Sequence, residues 1–467
     1  MRTRYWWCVF ALAAVAAGAE EWSRFRGPDG AGIGAGAGYP ASLDKSKNLA
    51  WRAAVRPGKS SPVLTRRHVF LTGYEDGKLY TQCFDRATGR LLWERSVPRR
   101  HDTIANRLNH PAGITPVTDG ENVYAFFKDF GLVSYDAAGR ERWRVPMGPF
   151  DNTMGLGASP VLAGGNVVVL ADQMANSFLA AVDTAKGELR WRVEREETDG
   201  WGSPVFYQPE GRGGAILTTS RGQFGVYDPA RGKRAATVRG LPTAIVGSPL
   251  VAGGVLYVQG YGSETPAPFG ARLEKLDGNK DGRLSPDEYG DDPFLHGIGK
   301  YIGDRDGVIT EAEWNLKQKE VLGPNCLVAY RLEYDGNGVL SPRELWRYDK
   351  NFTSVIPSPL VYDGVVYSVR NGGILTTLDA RTGTVVGTSR IAGALGGYSA
   401  SPVAGAGKVY LASEEGKVAI LQAGGARDIL SVVDLGEGIF ATPALAGGDL
   451  FIRTDGGLYR FTGKPGN

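Results

Sequence analysis

The sequence predicts an all-β protein: an eight-bladed β-propeller closed by its N-terminal strand, with a small α-helical insertion of EF-hand type in blade five. Three observations predict it. A Ser-Pro or Thr-Pro pair followed by a small apolar run recurs at Pro62, Pro116, Pro160, Pro204, Pro249, Pro359, Pro402 and Pro443, at successive gaps of 54, 44, 44, 45, 110, 43 and 41 residues. Each unit then reads as four short strands, and four strands in about 40–45 residues is the period of a propeller blade. The last unit, "TPALAGGDLFIRTDGGLYRFTG", stops one strand short, and a matching strand, "NLAWRAAV", stands at the other end of the chain.

Composition agrees. Gly is abundant at 67 of 467 residues and aromatics reach 10%, which suits turn-rich β structure. A formal net charge of +3 gives no electrostatic footprint for nucleic acid or anionic membrane.

Residues 1–19 read as a signal peptide. Arg2 and Arg4 precede a short apolar run from Trp6 to Ala14, and Ala17-Gly18-Ala19 offers small residues for cleavage. Cys8 lies inside the apolar run, so no lipid anchor is expected. No other stretch approaches the length of a membrane helix, and the mature chain is expected to be soluble, periplasmic or secreted. An N-terminal extension over 20–47 leads to the closing strand at 48, and the first part of the propeller runs to 264.

Within a blade, an apolar strand such as "HVFLTG" or "VVYSVR" is followed by a Gly-containing turn. A third strand then ends in Asp before a tight turn and an outer strand, as in "CFDRATGRLLWE" and "AVDTAKGELRWR". Asp85, Asp183 and Asp379 can bond their own turn backbone, while Gly89, Gly187 and Gly383 accept positive φ. The Pro near each first strand suits an edge position that need not donate to the ladder. Trp93, Trp143 and Trp191 fall at one place on the outer strand, where a large ring can cover the joint between blades.

The 110-residue gap exceeds a blade by about 60 residues, which places an insertion over 265–325 inside blade five, away from the ring's core; the propeller resumes at 326 and runs to 467. The insertion opens with "DGNKDGRLSPDEY". Asp277, Asn279 and Asp281 occupy positions 1, 3 and 5 of a calcium loop. Gly282 permits the bend at 6, Arg283 offers its carbonyl at 7, and Glu288 is the bidentate ligand at 12. Ser285 and Glu288 also form a capping box for the exiting helix. A second loop places Asp304, Asp306, Val308 and Glu313 at positions 3, 5, 7 and 12. Its first position is Ile302, which cannot coordinate, so this loop reads foremost as a structural partner. Paired loops of this kind share a strand contact, which predicts that Leu284 and Ile309 meet. Calcium is the expected ion.

The Asp-x-x-Thr-Gly-x-x-x-Trp turns resemble those of pyrroloquinoline-quinone-like propeller repeats. The opening "EWSRFRGPDGAGIG" is similar to the Trp-x-x-Phe-Arg-Gly-Pro start of many secreted bacterial members. The resemblance covers nearly the whole mature chain and departs where Ala236 and Gly387 replace the tryptophan and Gln422 replaces the Asp. It implies the fold and leaves function open between quinone-dependent alcohol dehydrogenases and the non-catalytic propeller lipoprotein of the outer-membrane assembly machinery. In the dehydrogenases a calcium ion sits against the quinone at the axis as a Lewis acid. A self-contained calcium loop on an insertion does not fit that role. Nor does this chain have the family enzymes' adjacent cysteine pair, since Cys83 and Cys326 fall in opposite blades and are expected to be free and buried.

Loops entering the first strands gather on one face around the axis. His101, Arg107 and His110 lie in the lengthened connection into blade two. Trp201, Tyr398 and Phe440 come from equivalent entrances, and together these residues form the candidate recognition face. The favoured expectation is an exported, calcium-binding, non-catalytic platform for a protein or cell-envelope component. The pyrroloquinoline quinone cofactor is not expected. The alternative is a quinone-dependent alcohol or sugar dehydrogenase using the axial cavity.

Overall fold

The computed structural model describes residues 21–102, 108–336, 338–350, 356–425 and 428–463; the expected signal peptide lies outside them. Eight four-stranded antiparallel sheets form the ring. Blade one is built from Val63–Leu64, His68–Glu75, Lys78–Asp85 and Leu91–Pro98, and blades two to seven follow in chain order. Blade eight takes Ala444–Ala446, Asp449–Arg453 and Gly457–Thr462 from the C-terminal end and Leu49–Ala54 from the N-terminal end. The last pair is antiparallel, with Leu49 opposite Phe461 and Ala54 opposite Gly457. Both ends of the chain therefore meet in one sheet, and the ring is shut by backbone hydrogen bonds.

Burial follows position within the blade. The second and third strands, such as Asn166–Ala171 and Phe178–Asp183, are buried at nearly every residue because both faces meet a neighbouring blade. Outer strands such as Leu189–Glu194 alternate between exposed and half-buried, the period-2 pattern of an edge with one wet face.

Among the described residues, five joints are closed by a tryptophan. Trp93 Nε1 donates to the Ala137 carbonyl (2.9 Å), Trp143 to Thr184 (3.0 Å), Trp191 to Pro229 (3.0 Å) and Trp346 to Ala380 (3.1 Å). Trp51 of the closing strand does the same to Arg86 (3.1 Å). Each ring lies on the turn glycine of the next blade. Gly89, at φ +74°, would carry a Cβ 2.6 Å from the Trp51 ring, so both conformation and space require glycine there. The Asp expected to hold this turn does so: Asp85 Oδ1 accepts from the Thr88 amide (2.8 Å) and hydroxyl (2.7 Å). Where Gly387 stands in place of tryptophan, tyrosines take over the joint. The Tyr362 and Tyr367 hydroxyls accept from the amides of Gly407 (2.9 Å) and Gly424 (2.7 Å) in blade seven.

Cys83 and Cys326 are free and buried, in blades one and five, as the repeat count predicts.

Blade five runs Leu250–Ala252, Val255–Gly260, Cys326–Tyr334 and Leu340–Tyr348. Between its second and third strands the chain leaves the ring and forms helices α1 (Gly270–Leu276), α2 (Pro286–Tyr289), α3 (Pro293–Tyr301) and α4 (Glu311–Val321). They share a separate small core that includes Phe269, Leu284, Ile298, Ile302, Ile309 and Trp314. Leu284 and Ile309 do meet, each amide donating to the other's carbonyl at 3.0 and 2.8 Å.

Candidate functional site

The residue before each repeat proline builds the hub. Ser61 N donates to Thr115 Oγ1 (2.9 Å), Thr115 N to Ser159 Oγ (3.1 Å) and Ser159 N to Ser203 Oγ (2.9 Å). Ser203 N donates to Ser248 Oγ, Ser248 N to Ser358 Oγ and Ser358 N to Ser401 Oγ, each at 2.9 Å. Ser401 N donates to Thr442 Oγ1 and Thr442 N returns to Ser61 Oγ, both at 3.0 Å. Eight amides and eight hydroxyls thus form a closed circle about the axis, one member per blade. All eight residues line a cavity of about 400 Å³. The Ser/Thr at these positions was visible in the sequence, but it was counted only as part of the pair that marks each repeat.

The N-terminal extension floors this cavity. Trp22 exchanges backbone hydrogen bonds with Leu64 of blade one, both 2.9 Å, and Gly32 and Gly34 bond Ala404 of blade seven, both 2.8 Å. Between these anchors Arg24 Nη1 donates to the Pro204 carbonyl of blade four (3.4 Å) and Arg26 Nη2 to Pro359 of blade six (2.6 Å). The segment therefore crosses the hub, with Phe25 in the cavity lining. Burial pulls Arg24 down to about 10 and Arg26 to about 9, partly offset by Asp29. Nothing in the sequence pattern assigned this plug, because the contacts that define it come from distant blades.

The mouth is formed by entrance loops. Trp201 and Phe440 line it with Lys59, Leu108, Asn109 and Met154, and Leu108 and Met154 are 46% and 40% exposed. Trp201 Nε1 donates to Asn152 Oδ1 (3.1 Å), Asn109 Nδ2 to the Met154 carbonyl (2.7 Å), and Lys59 Nζ stands 3.6 Å from the centre of the Phe440 ring. Other members of the expected recognition face lie elsewhere. Tyr398 is 1% exposed and donates its hydroxyl to the Ala394 carbonyl (2.7 Å) within the core between blades six and seven. An aromatic side chain long enough to reach between two sheets is removed from the rim. His101 is half-buried beside Gly148 and lies outside the cavity lining. His110 accepts from the Ala112 amide at Nδ1 (3.1 Å) and meets Tyr74 edge-on. Burial, then the charges of Arg453, Lys59, Lys128 and Arg99, pull its imidazole down to about 4. Arg107 lies outside the described residues.

The insertion stands on the same face as the mouth, closer to the hub than its sequence position suggests. Thr243 Oγ1 donates to the Val321 carbonyl (2.7 Å), and neighbouring Ala244 lines the cavity. On α3, Lys300 pairs with Asp151 (3.0 Å), and Gly297 lies so close to Thr153 that a Cβ would stand 2.9 Å from its methyl. Asp151 and Thr153 belong to the loop that carries Met154. The Lys300–Asp151 pair is exposed and worth little by itself.

In the first loop, the Asp277 carboxylate accepts from the amides of Asp281 (3.2 Å) and Gly282 (3.0 Å), and Asp281 Oδ1 accepts from Arg283 N (2.8 Å). Asn279 Oδ1 accepts from Asp281 N (2.9 Å). Glu288 spans the loop: Oε1 accepts from Gly278 N (3.0 Å), while Oε2 accepts from Ser285 N (2.9 Å) and Oγ (2.8 Å). These bonds from Ser285 hold its carboxyl below the usual carboxylate range. Among the described residues no three Asp, Glu, His or Cys side chains converge as a ready-made metal cage. The oxygen donors nonetheless sit around one tight loop with Glu288 reaching across it, a donor set suited to a hard divalent cation. The second loop repeats the outline, with Glu313 accepting from Asp304 N (3.3 Å) and Thr310 N (2.9 Å), and Asp306 from Val308 N (2.7 Å). Ile302, at its first position, is buried in the insertion's core and offers no side-chain oxygen.

Among the described residues no helix is long and apolar enough to cross a membrane. Residues 34–175, 81–265 and 175–467 match the family described as outer membrane protein assembly factor BamB, and the chain belongs to that family. No curated protein matches it in sequence. Among solved structures, BamB from Moraxella catarrhalis is 13% identical at a TM-score of 0.54, over 88% of this chain and 98% of that one. A europium-containing methanol dehydrogenase is 11% identical at 0.60, over 96% and 92%. The computationally designed Ika8 protein is 12% identical at 0.55, over 89% and 99%. At these identities the likeness is one of fold.

Proposed function

We propose that this member of the assembly-factor family is an exported, non-catalytic platform, periplasmic or secreted, whose cavity rim recognises a protein or another envelope component. The carrying observation is the exposed apolar rim made by Leu108 and Met154 beside Trp201 and Phe440. Exposed apolar side chains gathered round a concave site mark recognition surfaces. The family's description, an assembly factor for outer-membrane proteins, and the BamB likeness agree with a protein partner.

Calcium belongs to the same reading. Asp277, Asn279, Asp281, the Arg283 carbonyl and Glu288 would hold it, and the ion would neutralise their charge and tie α1 to α2. The second loop, without a first ligand, serves as structural partner. Because α3 touches the loop carrying Met154, ordering the insertion braces the rim. Extracellular sites of this kind bind at about 10⁻⁴–10⁻³ M. At about 1 mM ion and a Kd near 0.1 mM, the gain is about 1.4 kcal/mol.

The test is capture from envelope extract, with and without chelator, by wild type and by Met154→Lys. A component retained by the wild type and lost by the variant, at equal melting temperature, supports the platform. Capture indifferent to the substitution overturns it. Mixing the protein with calcium and pyrroloquinoline quinone addresses the alternative: a shifted quinone spectrum with dye reduction on alcohols or sugars would make it a dehydrogenase.

A further inference from the structure

We propose that the axial cavity binds a small organic oxyanion, a carboxylate or phosphate on a short apolar body, with its head against the hydroxyl ring. This goes beyond the platform reading and does not rest on it.

The ring is the reason. Its members are between 1% and 7% exposed, and each hydroxyl oxygen already accepts an amide from the preceding blade. A hydroxyl has one proton to give, and among the described residues none of these eight protons has an acceptor in the protein. Eight donors therefore border one cavity, and a buried donor left without an acceptor costs about 1–3 kcal/mol. Water would relieve that cost, and so would a guest rich in acceptor oxygens.

Charge chooses the guest. Arg24 and Arg26 flank Phe25 in the chain and are buried behind the floor, outside the cavity lining, where Arg26 Nε and Nη1 have no hydrogen-bond partner among the described residues. Lys59 stands at the mouth, and no Asp or Glu lines the cavity among the described residues. Eight lining donors and the charge of Lys59, with no lining carboxylate among the described residues, favour an anion, most strongly where water is displaced. Met154, Trp201 and Phe440 supply an apolar wall above the ring for the body of the ligand. About 400 Å³ lies toward the small end for ligand pockets.

Calorimetric titration of the mature protein with four probes sharing one six-carbon tail tests this: hexanoate, hexyl phosphate, 1-hexanol and hexylammonium. An anion should bind about ten-fold or more tightly than hexanol, and hexylammonium should not bind. Whichever anion binds more tightly identifies the head group. Equal affinity for hexanol and both anions would reduce the site to an apolar hollow and overturn the proposal, as would no heat from either anion at about 10 mM. Ser203→Ala should weaken the anion several-fold. Ser203→Thr should retain it, since threonine already serves the ring at positions 115 and 442. Wild-type affinity in both variants means that the ring is not the receptor. If Ser203→Ala fails to fold, the probe series on the unaltered protein decides alone.

Discussion

The hub and the insertion use polar groups in opposite ways. In the hub, one residue type recurs once per blade, and its hydrogen bonds run between blades, so the circle exists only when all eight have assembled. In the insertion, the carboxylates of the first loop find their hydrogen-bond partners within ten residues, and each position has its own duty. A repeated device tolerates local change and depends on closure. A local device tolerates its surroundings and depends on single residues.

The largest expected effect breaks closure. Deleting residues 48–55 removes the strand that completes blade eight and exposes the Gly457–Thr462 edge. Unfolding should lose cooperativity and the protein should aggregate; a melting curve equal to the full chain's would remove closure as a source of stability. Next comes a single joint. Trp143→Ala vacates a buried ring and the bond to Thr184, for an expected loss of about 3–5 kcal/mol by denaturant unfolding. A loss under about 1 kcal/mol would show that the joint relaxes.

The local device should answer to one residue. Asp277→Ala and Glu288→Gln should each abolish calcium-dependent thermal stabilisation, about 1.4 kcal/mol at millimolar ion, and leave the calcium-free melting point near its starting value. Glu313→Gln, in the loop with Ile302 at its first position, should keep most of the calcium effect. Equal losses from Asp277→Ala and Glu313→Gln would make the two loops equivalent, and no heat of binding at millimolar calcium would discard the ion.

A pH dependence beside the hub tests the same contrast. Folded His110 titrates near 4 against an ordinary value of 6.5, so the unfolded chain binds the proton first. Its contribution to stability is complete above about pH 6.5 and is lost as the pH falls toward 4. Denaturant midpoints at pH 7 and pH 5 should differ, and His110→Gln should narrow the difference. An unchanged gap would locate the acid sensitivity in other groups.

Legibility followed range. The blade count, the closing strand, the Asp-Gly turns and the tryptophan joints were readable because each rests on spacing inside one repeat or on one repeat's missing part. Tyr398 was misplaced because its position relative to Trp201 and Phe440 in the repeat is equivalent, while its burial depends on how blades six and seven meet. The hydroxyl ring was hidden in plain view: eight Ser-Pro or Thr-Pro pairs were counted for their prolines, and a bond from Ser61 to Thr115 spans a whole blade.

By itself the sequence determined the number of blades, where the ring closes, where the chain leaves it, and which residues in the first loop carry oxygen. These are matters of period and short spacing, set by backbone geometry over a few residues. Tertiary structure decided that the N-terminal segment crosses the hub, that eight hydroxyls point their chemistry at one cavity, and that the insertion leans on the cavity's rim. Those contacts join residues hundreds apart, and only the curvature of eight packed sheets brings them within hydrogen-bonding distance.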